Sequence, residues 1–260
     1  AERTVDVQGL RWRLLETPGT TGGPALLMLP GTLGTAAIFA PTLQALGARI
    51  RIVSVTYPMV EDITRLADGL AALMDHLVLA RASVAGSSLG GFLAQHFAAR
   101  HPGRVQQLLL GNTLWDPGLT RSLVGPRSLE ALRALPAPAH RAIVLASVRS
   151  WPEDTAAQRA LKELLLHSGA KLLGARALKA RVLAVQASPA VPPLVVEPAR
   201  ITVLDCADDP LMPRPVQDGM RQRYPGARHV RFDTGGHYPN VLRQEDYHRL
   251  VLQVADPRAH

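Results

Sequence analysis

Residues 84–91 read VAGSSLGG, two serines set among glycines where a short apolar run ends. SVAG closes a strand-like run and LGGFLAQHFAAR has helical spacing, so Gly86-Ser87-Ser88-Leu89-Gly90 falls at a strand-to-helix junction. That is G-x-S-x-G in the strand, turn and helix setting of a nucleophile elbow. The central residue of such a turn is strained, and the positions two before and two after it pass too close for side chains. Gly86 and Gly90 are therefore read as the elbow glycines, Ser88 as the exposed nucleophile and Ser87 as a neighbour directed elsewhere. A phosphate cradle is disfavoured, because neither G-x-x-x-x-G-K-[ST] nor G-x-G-x-x-G occurs.

A serine hydroxyl is a weak nucleophile until a base takes its proton, and the base needs a carboxylate to orient it. In α/β-hydrolases, whose nucleophile elbow this pentapeptide resembles, these groups follow the serine in the order acid, then histidine, each after a strand. After the strand-like ITVLDC comes ADDPLMP, whose Asp209 stands where the acid belongs; after HVRFD comes TGGHYP, with His237 behind a glycine pair. Asp208, beside Asp209, and Asp116, shortly after VQQLLLGN, remain alternative acids. The oxyanion formed by attack on a carbonyl calls for two N–H donors. One is expected from Leu89 and the other from LPGTLGT, at Thr32 or, failing that, Leu33.

Outward from the elbow, TVDVQG and RWRLLET alternate like two antiparallel strands. ALLMLP, RIVSV, SVAG, VQQLLLGN, ITVLDC and HVRFD read as buried strands of a mostly parallel sheet. Helical patterns cover residues 62–79, 89–100, 215–224 and 243–254. The alternation predicts an α/β fold with a doubly wound sheet. Between Leu114 and Pro198 the rhythm breaks into Ala-, Leu- and Arg-rich helical stretches. The expected organisation is a core of residues 1–113 and 199–260 with a helical insertion at 114–198 after the sixth strand.

The 260 residues, 47% hydrophobic and 19% charged, suffice for one α/β domain with a full core. No apolar stretch approaches the roughly 18 to 20 residues that span a bilayer. The opening AERTVDVQGLRWRL is polar and alternating and reads as no signal peptide, and the single Cys206 forbids an internal disulfide, so a reducing, cytoplasmic setting is expected. The net charge of +8 raises the question of nucleic acid. The basic residues are scattered, almost all Arg, with no K/R run and no interleaved aromatics, so no nucleic-acid partner is expected. The basic excess of the insertion, from Arg121 and Arg127 to Lys179 and Arg181, reads as a solvated face. Neither metal nor organic cofactor is implied, since H-E-x-x-H, a cysteine cluster and a dinucleotide fingerprint are all absent.

Taken together, the turn after the third strand, the elbow, the acid loop and the late histidine resemble the α/β-hydrolase superfamily across nearly the whole chain. GTLGTAAIF, VTYPMVEDI, GSSLGGFLAQHFA, LLLGNT and TGGHYP are similar in pattern to its maspardin branch. That branch has an asparagine at the position of His237 and is regarded as binding rather than hydrolysing. The resemblance implies an α/β-hydrolase fold in which residues 114–198 form a cap over the pocket, with Trp115 and Trp151 available to an apolar or aromatic acyl substrate. The histidine at 237 favours a serine hydrolase, with a maspardin-like binding protein, or another use of the triad, as the alternative.

Overall fold

The computed structural model describes residues 2–20, 22–121 and 128–256. Eight strands form one sheet: β1 (Arg3–Val7), β2 (Leu10–Glu16), β3 (Ala25–Leu29), β4 (Arg51–Thr56), β5 (Ala82–Ser87), β6 (Val105–Gly111), β7 (Ile201–Cys206) and β8 (Arg228–Phe232). Their order is β1-β2-β4-β3-β5-β6-β7-β8. β1 and β2 pair antiparallel, β2 meets β4 antiparallel, and every other pairing is parallel. All eight strands coincide with the apolar runs read from the sequence.

The two-residue period of the strands sorts their side chains onto two faces. Leu27, Leu29, Val53, Val55, Val84, Leu108 and Leu110 enter one apolar cluster. Their neighbours Leu26, Met28, Ile52, Ala85 and Leu109 enter the other. Helices α2 (Ile63–His76) and α3 (Leu89–Arg100) cover the first face, and α1 (Ala40–Leu46) covers the second. Asp62 starts α2 by accepting the N–H groups of Thr64 and Arg65, which a helix otherwise leaves unmatched.

Between β6 and β7 lie α4 (Gly118–Arg121), α5 (Leu129–Ala134), α6 (Ala137–Arg149), α7 (Ala156–His167) and α8 (Ala175–Gln186), with a single π-turn at Ser168–Leu172. No strand interrupts this stretch among the described residues. Arg127 lies outside them, as does the side chain of Arg121. After β7 come α9 (Arg214–Arg223), α10 (Pro239–Leu242) and α11 (Gln244–Ala255). No helix among the described residues is long and apolar enough to cross a membrane.

Candidate active site

The elbow forms where β5 ends and α3 begins. Ser88 has φ 55° and ψ −120°, a combination outside the regions open to ordinary L-residues. Its N–H donates to the Gly111 carbonyl at 3.0 Å, and its carbonyl accepts from Thr113 Oγ1 at 2.7 Å and from the Phe92 N–H at 3.0 Å. A Cβ on Gly86 would overlap the Gly90 carbonyl, and one on Gly90 would overlap the Leu29 carbonyl. Crowding by backbone, which no rotamer change can relieve, therefore accounts for both glycines.

The turn after β3 lies against this serine. A Cβ on Gly31 would stand 3.2 Å from Ser88 Cβ, so the backbone at Gly31 passes close to the Ser88 side chain. Leu89, the first residue of α3, is buried, and Thr32 is half-buried.

The late histidine and one of the three candidate acids meet. His237 Nδ1 lies 2.8 Å from Asp209 Oδ2 and 3.1 Å from Oδ1, with the two residues only 4% and 6% exposed. Burial alone would raise the Asp209 pKa. The His237 ring, its hydrogen bond, the Asn112 amide and the Leu211 N–H outweigh that and hold the carboxyl below the usual carboxylate range. With Asp209 ionised, Nδ1–H is the donor to it, and Nε2 is the ring nitrogen outside the pair.

Asp208 and Asp116 have other partners. Asp208 accepts the N–H groups of Gly235 and Gly236, bracing the turn that carries His237. Asp116 accepts the Gly118 N–H at the start of α4. Asp116 is a local turn acceptor, whereas Asp208 joins two loops 27 and 28 residues apart in sequence.

Asn112 escaped the sequence reading. It follows β6 with φ 45°, and its Nδ2 donates to Asp209 Oδ2 at 2.6 Å and to the Gly236 carbonyl at 2.9 Å. One amide thus ties the acid to the histidine loop. The available signal was a polar residue directly after a buried strand, on the sheet edge where the acid was sought.

The helices between β6 and β7 reach the same edge. Trp151 packs edge-on to His237 with ring centroids 6.5 Å apart and also contacts Tyr238. Trp115 is elsewhere, beneath the Arg223 guanidinium and next to Gly219 of α9. Ser168 donates to the Leu33 carbonyl at 2.6 Å. Arg181 corrects the expectation of a solvated basic face: it is 2% exposed, and its Nη1 donates to the carbonyls of Thr32 at 3.0 Å and Gly34 at 2.6 Å. Desolvation pushes its pKa down to about 10, which leaves it cationic at neutral pH. Among the described residues, no cluster of three His, Cys, Asp or Glu side chains is placed to hold a metal ion.

Human maspardin is 29% identical over 246 residues, covering 94% of this chain and 78% of the relative. In fold, the chain is similar to the enol-lactonase from Burkholderia xenovorans LB400, with a TM-score of 0.73 at 19% identity over 97% of this chain and 99% of the other. It is also similar to an esterase from Exiguobacterium antarcticum, with a TM-score of 0.78 at 14% identity over 98% and 99%. A model of the alpha/beta hydrolase family matches residues 26–251, and the chain belongs to that family.

Proposed function

We propose that the chain is a serine hydrolase that cleaves an ester, thioester or related acyl substrate through an acyl-enzyme on Ser88. The observation that carries this reading is the buried His237–Asp209 pair, fastened by Asn112, in a chain whose serine turn is strained as a nucleophile elbow requires. Ser88 Oγ attacks the carbonyl carbon, and its proton passes to His237 Nε2. The N–H groups of Thr32 and Leu89 receive the oxyanion. Collapse breaks the bond to the leaving group, which departs with the proton from His237. Water, deprotonated by the same ring, then releases the acid and restores Ser88. Asp209 keeps the ring in the productive tautomer throughout.

Residues 114–198 serve as a cap over this centre, and Trp151 beside His237 suits an apolar or aromatic acyl group. A cytoplasmic setting fits the buried, unpaired thiol of Cys206. The maspardin relatives favour a second reading, a partner-binding protein with little turnover.

Intact-mass labelling with a fluorophosphonate decides between them, alongside hydrolysis of p-nitrophenyl esters of graded chain length and product analysis. A wild type that labels and turns over, with both lost in Ser88→Ala and His237→Ala, is the expected result, with kcat lower by about 10^4-fold or more. A folded wild type that takes no label overturns the hydrolase and favours partner binding. A free acid released with a carbon leaving group would point to carbon–carbon bond hydrolysis, and products without a free acid to acyl transfer or lyase chemistry by the same residues.

A further inference from the structure

We infer that a second site, built to take an organic oxyanion with an apolar body, lies on the far side of the Gly31–Gly34 turn from Ser88. Along the sheet the elbow follows β5, the turn follows β3, Tyr57 follows β4, and β2 lies beyond. A cleft of about 400 Å³ opens at that outer end. Its lining includes Arg11, Arg13, Arg65 and Arg181 with no Asp or Glu, and neither Ser88 nor His237 belongs to it.

Four cations facing one cavity repel one another unless an anion sits among them. Arg11 and Arg13 have partial compensation at the rim, from Asp6 at 3.4 Å and Glu2 at 3.8 Å. Among the described residues, no carboxylate lies within ion-pair distance of Arg65 or Arg181.

Arg181 supplies an independent observation. Its Nη1 is engaged by the turn, but its Nε and Nη2 are buried without a hydrogen-bond partner. Leaving two donors of a buried guanidinium unmatched is costly, and a small shift of Arg181 toward the cleft it lines would present them to an oxyanion there. The guanidinium is held in place by stacking over the Tyr57 ring, 5.1 Å from its centroid.

The N-terminal turn of α8 lines the same cleft through Gly174 and Ala177, on the helix face that carries Arg181. No side chain caps that helix and no acidic residue occupies its first turn, so its positive end is open to an anion. The remaining wall is apolar: Met59 and Leu172 line the cleft while 62% and 45% exposed. A bare inorganic anion would leave that wall wet, whereas a ligand with a carboxylate or phosphate head and a short apolar body covers both parts.

Calorimetric titration with hexanoate and hexyl phosphate, with hexan-1-ol as the neutral counterpart, tests the site directly. Either anion is expected to bind one to one, more weakly as salt rises, and hexan-1-ol not to bind. Arg65→Ala and Arg11→Ala, both at exposed positions, should each weaken binding about ten-fold. Arg181→Met should abolish it, and the two exposed variants decide the matter if that chain does not fold. Ser88→Ala should bind as the wild type does, which separates this site from the hydrolase reading. Equal binding of hexan-1-ol, binding by neither anion, affinity unchanged in the arginine variants, or affinity lost in Ser88→Ala would overturn the proposal.

Discussion

One amide and one carboxylate decide how His237 is presented. Asn112 reaches Asp209 and the Gly236 carbonyl at once, so removing it frees both the acid and the loop behind the ring. A hydrogen bond to a charged group is worth about 1.5–3 kcal/mol. Asn112→Ala is accordingly expected to lower kcat/KM about ten- to hundred-fold and to move the acid limb of its pH profile upward, because the carboxylate loses a donor that favours its charged form. A merely structural role would lower activity and leave that limb in place. Asp209 also carries a stability signature. Its folded pKa is depressed, so its contribution is fully present above the unfolded value near 4 and is lost as pH falls through the lower folded value. Urea unfolding at pH 6 and pH 3 should show the wild type losing its advantage over Asp209→Asn across that interval.

The elbow is an element in which backbone meets backbone. Gly86→Ala places a methyl group inside the Gly90 carbonyl of α3, and Gly90→Ala places one inside the Leu29 carbonyl of β3. Neither clash can be relieved without moving β3 or α3. The expected cost is about 4 kcal/mol or more for each, a fall in Tm of about 10 °C or failure to accumulate folded protein. Gly103, with nothing within 4 Å of its Cβ position, is the control, and Gly103→Ala should change Tm by less than about 2 °C. Differential scanning calorimetry of the three variants reads the contrast. Comparable losses at all three sites would show that glycine flexibility, and not the crossing at the elbow, is what the sequence protects.

At the scale of the molecule, the helices between β6 and β7 share the apolar clusters of the sheet. Leu145, Val148, Leu161, Leu165 and Leu178 pack in one cluster with Leu26, Met28, Leu109 and Leu204, while Ala184, Val185 and Val191 join the other. Arg181 and Ser168 add bonds to the turn after β3. A segment so joined does not unfold alone, and thermal unfolding is expected as one transition, with equal calorimetric and van't Hoff enthalpies. Two resolved transitions would mean that residues 114–198 fold as a separate unit. The sequence by itself determined the eight strands, the helices described between β6 and β7 and the strand–turn–helix junction at Ser88, because each is written in local periodicity or in a pentapeptide whose glycines answer a local clash. It narrowed the histidine to His237 by chain order. It put Asp209 ahead of Asp208 and Asp116, but only the tertiary structure shows which carboxylate meets the His237 ring, 28 residues away, since neighbouring carboxylates look alike until one does. Asn112, 97 residues from the acid it holds, and Arg181, 149 residues from the turn it grips, were illegible for the same physical reason. A side-chain bond between distant loops leaves no period in the sequence, and it exists only once the sheet has brought the strand ends to one edge.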